Sequence, residues 1–259
     1  MSNRKTRDRQ LAKLAARRAA VRRRKQRQRI IAASVAIALA VGALVFAGIA
    51  FWGGGGSKAK AASSPTPTPS VTPTIVACGG TVPAAAATKK PTFPKAPAIT
   101  IDTKKTYTAT IVTSCGTITA ELFAKQAPVT VNNFVFLSRK HFYDGLIFHR
   151  IIKDFVVQGG DPEGTGSGGP GYQFKDELHN GLKYEVGSMA MANSGANTNG
   201  SQFFFVVGPR GESLPNSYSI FGKVTKGQDV LQKLAALQTG SNDRPVELPY
   251  IEKITIKES

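Results

Sequence analysis

Cysteine is nearly absent: the 259-residue chain has two, Cys78 and Cys115, too few to build a disulfide scaffold. Any folded part must rest on an ordinary apolar core, for which about 150 residues suffice. Histidine is almost as scarce, with only His141, His149 and His179. No His-x-x-x-His or Cys-x-x-Cys pair occurs, so a metal centre has no basis in ligand spacing and no metal or cofactor is expected. A Gly-x-Ser-x-Gly nucleophile elbow is also missing. The run Glu163-Gly164-Thr165-Gly166-Ser167-Gly168-Gly169 lacks the Lys-Ser/Thr and following helix of a phosphate loop, and it reads as a tight surface loop. Asp161 with Glu163, and Asp176 with Glu177, have no evident cleft and read as solvated turn residues. His149 precedes Arg150 on an expected strand, which sends the two to opposite faces; it reads as a packed or hydrogen-bonded structural residue. No internal repeat is visible.

Acidic residues are few, 16 against 34 Lys and Arg, but the excess is local. Residues 1–29 hold 13 basic groups against Asp8 alone, a net +12, whereas the other 230 residues carry 21 basic and 15 acidic groups. The high isoelectric point therefore describes a leader and says little about the folded part. Next comes the one long apolar run, Ile30 to Trp52, 23 residues without a charge, closed by the only tryptophan. As a helix at about 1.5 Å per residue it would span roughly 35 Å, enough for a bilayer core of about 30 Å. Its basic flank predicts a single-pass membrane helix with residues 1–29 in the cytoplasm and everything after Trp52 outside. A cleaved signal peptide is the alternative, with Ala59-Lys60-Ala61 as the cleavage site, but the run exceeds the usual h-region of about 7–15 residues. Ile75-Val76-Ala77-Cys78 is too far from the run to serve as a lipidation box. Arg22-Arg23-Arg24-Lys25 would suit nucleic acid, yet beside a membrane span it serves topology and anionic lipid; no nucleic-acid partner is expected.

Residues 53–105 form a Gly/Ala/Thr/Pro-rich linker that begins with four glycines. Eight of the 15 prolines lie between Pro65 and Pro97, and Pro65-Thr66-Pro67-Thr68-Pro69 favours extended polyproline II, a semi-rigid spacer. From residue 106 to 259 the texture is that of a separate domain. Tyr107–Thr113 and Ile118–Phe123 flank Ser114-Cys115-Gly116 as a hairpin. Pro128–Lys140 has a helical apolar pattern behind a proline. Strands are expected at Ile147–Ile152, Phe155–Gln158, Gly187–Met191, Phe203–Val207 and Ile251–Ile256, the last by alternation, with a second helix at Val230–Leu237. Many short strands and two helices indicate a mainly β barrel or sandwich with helical caps.

Two segments concentrate chemistry. Phe148-His149-Arg150-Ile151-Ile152-Lys153-Asp154-Phe155-Val156-Val157-Gln158-Gly159-Gly160-Asp161 places Arg, an aromatic and Gln in one hairpin. Met191-Ala192-Asn193-Ser194-Gly195-Ala196-Asn197-Thr198-Asn199-Gly200-Ser201-Gln202-Phe203-Phe204 puts small polar residues ahead of an aromatic strand. These segments, with Ile220-Phe221-Gly222-Lys223-Val224, resemble three motif blocks of the cyclophilin family in family order, from about Thr106 to Lys257. The whole chain is similar to a membrane-anchored bacterial, actinobacterial-like form. The resemblance implies an eight-stranded antiparallel barrel capped by two helices and a peptidyl-prolyl cis-trans isomerase acting on proline-containing polypeptides. By motif position it makes Arg150, Phe155 and Gln158 catalytic. Val156, Phe204 and Leu214 join Phe155 around the proline ring, while Ala192, Asn193 and Gln202 join Gln158 on the peptide backbone. Tyr218 takes the place where many members have His and bacterial ones often Tyr. Ser213 stands where several members have a Trp linked to tight cyclosporin binding, so weakened drug binding is expected.

The chemistry agrees. X-Pro rotation faces a barrier of about 18–20 kcal/mol from amide resonance, and a permanently charged donor aimed at the prolyl amide lowers it without nucleophile or proton shuttle. A groove that only captures proline segments, as a chaperone or scaffold with incidental turnover, is the alternative, though a pure binder has no need of the arginine. Outside the membrane disulfides persist, so a Cys78–Cys115 bridge is expected, with two free thiols as the alternative.

Overall fold

The computed structural model describes residues 75–178 and 180–259. The expected membrane helix Ile30–Trp52, the basic tail, the Thr-Pro repeat and His179 lie outside the described residues. Among the described residues no helix is long and apolar enough to cross a membrane.

Eight strands form one antiparallel sheet: β1 (Tyr107–Thr113), β2 (Gly116–Leu122), β3 (Arg150–Ile152), β4 (Val156–Gly159), β5 (Ser188–Met191), β6 (Phe203–Val206), β7 (Ile220–Lys226) and β8 (Ile251–Glu258). Their order across the sheet is β3-β4-β6-β5-β7-β2-β1-β8. The two edges meet just ahead of β3 and β8, where Ile147 bridges Tyr250 and Phe148 N–H donates to Pro249 O at 2.9 Å. That closure explains why the strand expected at Ile147–Ile152 begins only at Arg150: residues 145–148 turn toward 249–251 instead of toward β4. Strand β1 alternates as expected, with Tyr107, Ala109 and Ile111 buried. Strand β8 departs from the expected alternation, because its buried residues Ile251 and Ile254 are three apart. A bulge accommodates the extra residue: Val112 pairs with Lys253 but Thr113 with Ile251, which returns both isoleucines to the core face.

Helix α1 (Pro128–Arg139) starts at its proline and buries Val131, Phe134, Val135 and Leu137. Its first turn is capped from a distance. The Glu177 carboxylate accepts from Val129 N–H, Thr130 N–H and the Thr130 hydroxyl, satisfying donors that a helix start leaves open. Glu177 is thus a helix cap and not a solvated turn residue, and its neighbour Asp176 accepts from Asn197 N–H and Asn199 Nδ2. A one-turn helix α2 (Pro209–Glu212) and helix α3 (Gln228–Ala235) follow. The latter buries Val230, Leu231, Leu234 and Ala235 and begins two residues earlier than the apolar pattern suggested, behind a left-handed Gly227.

Inside the sheet sits an aromatic core in which Phe134 meets Phe203 edge-on at 5.4 Å and Tyr143 meets Phe203 at 5.6 Å. Strand β6, Phe203-Phe204-Phe205-Val206, divides its side chains by the two-residue period of a strand. Phe203 and Phe205 enter this core, while Phe204 and Val206 join a second apolar cluster with Val156, Tyr184, Ala190 and Ile220.

Residues 75–105, expected from composition to continue the spacer, lie against the domain as a strap. Val76 forms a parallel bridge with Leu248. Cys78 is disulfide-bonded to Cys115 in the β1–β2 turn, with Cα atoms 5.1 Å apart, so the expected bridge is present. Phe93 N–H donates to Pro170 O at 2.8 Å and its ring packs on Phe136. Asn132 binds Thr100 N–H and Ala98 O. Gly145 (φ 76°) and Gly171 (φ 95°) let the strap pass, since a Cβ on either would strike the backbone of residues 85–86 or Phe93. Proline-rich composition signals the absence of helix and ladder, but not the absence of packing.

Candidate functional site

The second apolar cluster opens onto a groove of about 540 Å³ bordered by Arg150, Phe155, Val156, Gln158, Ala192, Asn193, Phe204, Leu214 and Tyr218. Sheet register assembles it. Arg150 on β3 is directly opposite Gln158 on β4, Gln158 is opposite Phe204 on β6, and Phe204 is opposite Ala190 on β5. Four neighbouring strands thus present one row of residues to the same face. Ile151 and Val157, one position along, point into the aromatic core.

A polar chain runs along one rim. Arg150 Nη1 donates to Gln158 Oε1 at 3.4 Å, Gln158 Nε2 donates to Gln202 Oε1 at 3.0 Å, and Gln202 Nε2 donates to the carbonyls of Gly166 and Gly168. Gln202 therefore stands behind Gln158 and borders an adjoining hollow of about 150 Å³ rather than the main groove. The opposite side is apolar: Phe204 meets Tyr218 edge-on at 5.5 Å, and Phe155, Leu214 and Tyr218 pack on the second cluster. Asn193 borders the groove, but its side chain is committed elsewhere, donating to Ser217 O and accepting from Gly195 N–H. Ser213 is exposed and is not among the residues bordering the groove.

The structure brings the residues proposed from the motifs to one groove, except Gln202, and adds residues the motifs did not mark. Ser241, Asn242 and Arg244 line the groove, and Asp243 accepts from Arg150 Nε at 3.1 Å. These positions lie almost a hundred residues downstream of Arg150 with no local pattern to flag them. Arg210 lies over the Phe155 ring at 5.5 Å, a cation–π contact. His149 is packed as expected, 6 % exposed, but it precedes β3 and borders the groove on the same side as Arg150, with neither ring nitrogen hydrogen-bonded among the described residues. Burial holds its pKa below the ordinary histidine value, aided by the charges of Arg244 and Arg150 and opposed by Asp161.

The glycine-rich segment is a groove wall and not merely a surface loop. Asp161, expected in solvent, is 1 % exposed. Its carboxylate accepts from the N–H groups of Glu163, Thr165 and Gly166, which folds the loop so that its carbonyls meet Gln202. Burial works to raise the Asp161 pKa, and the loop's backbone donors, foremost Glu163 and Gly166, outweigh it and leave the group below the ordinary carboxylate value. A depressed carboxylate contributes stability that is present above its unfolded value of about 3.9 and is lost as pH falls through the lower folded value. Wild type should therefore be more stable than Asp161→Asn at neutral pH, the difference shrinking only below about pH 4. Denaturant titrations of both proteins from neutral to strongly acidic pH check this; a difference that does not change with pH would contradict it.

The sequence model of the family described as cyclophilin type peptidyl-prolyl cis-trans isomerase/CLD matches residues 108–256. Over 141 residues the chain is 48 % identical to a peptidyl-prolyl cis-trans isomerase (CYP18-2) of Arabidopsis thaliana, which spans 53 % of this chain and 85 % of that one. Human peptidyl-prolyl cis-trans isomerase-like 1 is 50 % identical over 139 residues, 52 % of this chain and 83 % of its own. A solved cyclophilin type peptidyl-prolyl cis-trans isomerase of Cryptosporidium parvum in the presence of the dipeptide ala-pro superposes with a TM-score of 0.56 at 38 % identity. The match covers 59 % of this chain and 99 % of that one.

Proposed function

The chain belongs to the cyclophilin-type peptidyl-prolyl cis-trans isomerase family, and from that premise we propose how this groove performs the reaction and where. The protein is an isomerase of X-Pro bonds in proline-containing polypeptides. The carrying observation for the mechanism is the cross-strand row Ala190, Phe204, Gln158 and Arg150. In it the apolar floor of Ala190 and Phe204 and the guanidinium of Arg150 flank Gln158, Phe204 being two strands from Arg150 at about 5 Å per strand. The proline ring enters among Phe155, Val156, Phe204 and Leu214, with Tyr218 behind Phe204. Arg150 donates to the prolyl amide nitrogen as rotation breaks its conjugation and its lone pair localises. That interaction is stronger in the twisted state than in either planar one, which is the condition for acceleration. The peptide backbone is held along Gln158, Ala192 and Asn193, and Gln202 acts by orienting Gln158.

The reading is tested by Gln158→Ala in the full chain, with cis–trans exchange of an Ala-Pro peptide followed by NMR. A fall of about tenfold in kcat/KM is expected from losing one such hydrogen-bonding position; an unchanged rate would remove the row from the mechanism. The alternative of a binder with incidental turnover is favoured by no particular contact.

We further propose the membrane-anchored bacterial arrangement, with the domain acting outside the cytoplasm on exported or unfolded chains. It is supported by the uncharged run Ile30–Trp52 behind a +12 tail and by the Cys78–Cys115 bridge, which persists in oxidising compartments. Weak cyclosporin binding is proposed from the exposed Ser213. Fractionating cells and labelling the domain from outside with an impermeant reagent tests the placement; recovery in the soluble cytoplasmic fraction would reject it.

A further inference from the structure

We propose that Asp243 is a positioning residue for Arg150, holding the guanidinium plane in the orientation that the isomerisation uses. The inference rests on the reading of Arg150 as the group that meets the prolyl amide.

Arg150 is a flexible side chain, 40 % exposed, on the three-residue strand β3. Left to itself it would sample several rotamers in water, and only some would aim donors into the groove. Its guanidinium is planar with five N–H groups in one fork, so two fixed contacts define the plane. Gln158 supplies one, a long contact from Nη1 at 3.4 Å; Asp243 supplies the shorter one, from Nε at 3.1 Å. Three N–H groups then have no partner among the described residues and are available to a substrate.

The carboxylate is delivered by a backbone that is built for it. Asn242 and Asp243 are both left-handed, at φ 59° and φ 58°, a conformation that non-glycine residues adopt at a cost and that persists where the surroundings determine it. Here the surroundings do. Thr239 bridges Pro245, Gly240 N–H donates to Arg244 O at 2.8 Å, and Arg244 Nη1 ties the turn to Gly164 O at 2.6 Å. The same turn thus joins the Arg150 side of the groove to the glycine-rich wall. An ion pair this exposed, with Asp243 44 % accessible, adds little to folding stability, so stability does not account for the strained turn. Orientation of the arginine does. Holding a group ready removes an entropic cost from the chemical step, so Asp243 acts mainly on kcat.

The test compares Asp243→Gly, Asp243→Asn and Arg150→Ala in the full chain. Glycine removes the carboxylate and relaxes the left-handed backbone, so any loss belongs to the side chain. Asparagine keeps an acceptor oxygen for Nε–H. Exchange of an Ala-Pro peptide gives kcat and KM, and the Arg150 Nε–H resonance in ¹⁵N spectra reports its hydrogen bond. Asp243→Gly should lower kcat about five- to tenfold with KM within about twofold, and shift or broaden that resonance. Asp243→Asn should retain most of the rate. If Asp243→Gly leaves kcat unchanged while Arg150→Ala abolishes it, the positioning inference fails and Arg150 stands. Unchanged rates in both would bring down the Arg150 reading itself. Equal losses in the Gly and Asn variants with an unmoved Arg150 signal would also overturn the inference.

Discussion

Arg150→Ala is expected to lower kcat/KM for an X-Pro peptide by about 10²- to 10³-fold, the cost of removing one preorganised donor from a developing charge. The uncatalysed barrier of about 18–20 kcal/mol is the resonance energy of the amide, and a few kcal/mol of it must be recovered by a contact that exists only when resonance is lost. In this groove the apolar residues can grip the ring in either isomer equally well, which lowers KM without raising kcat. The polar residues divide similarly. Gln202 is occupied by Gln158 and the Gly166 and Gly168 carbonyls, and the Asn193 side chain by Ser217 and Gly195. Within the polar chain Arg150–Gln158–Gln202, Arg150 alone combines fixed charge with donors that have no partner among the described residues. Its side chain is partly exposed and contributes nothing to the aromatic core, so Arg150→Ala should unfold at the wild-type denaturant midpoint. Arg150→Lys should recover little, because an ammonium cannot reproduce the fork that meets Asp243 and Gln158 together. NMR exchange on the peptide gives the rates; values within about twofold of wild type would leave the groove as a proline-binding surface only.

Removing the disulfide should produce the largest loss of stability, about 2–4 kcal/mol by the chain-entropy estimate for its loop. Cys78 and Cys115 are 37 residues apart in sequence, and most of that loop is the strap. Ala77 is buried and Phe93 reaches Phe136, yet the helical turn Ala84–Ala87 has no buried residue. Once the bridge is cut, the unfolded chain regains its loop entropy while the folded one loses only a tether. Urea titration of the Cys78→Ser/Cys115→Ser double variant checks this, and an unchanged midpoint would show that the strap docks without help. Activity at low denaturant should remain within about threefold, since no groove residue comes from the strap. The strap reaches the surroundings of the site through Phe93, whose N–H donates to Pro170 O beside the glycine-rich wall and whose ring lies 6.5 Å from that of Tyr172.

Much of this was legible without coordinates. Arg150, Phe155, Val156, Phe204 and Leu214 were marked by the resemblance of their sequence positions to the motifs of the cyclophilin family. The row through Arg150, Gln158 and Phe204 shows why the spacing matters: Arg150 and Gln158 are eight apart because a tight hairpin makes them opposite partners. The expected cysteine bridge is present for a reason that composition could carry, two thiols and no third competitor. Other features escaped because their cause is not local. Glu177 caps a helix that starts 49 residues earlier. Asp161 reads as a turn acid until the loop wraps its N–H groups around it. The proline-rich strap reads as a spacer because composition reports what a segment cannot form, not what it touches.

The sequence by itself marked most of the strands and the two longer helices, because each depends on neighbours within about ten positions, and it marked the groove residues through their resemblance to the cyclophilin family. Only the tertiary structure decided how the arginine is aimed. Asp243 lies 93 residues from Arg150, and the two meet because the sheet closes on itself through Ile147 and Tyr250, bringing the turn ahead of β8 against β3. Contacts made by closure leave no periodic trace along the chain.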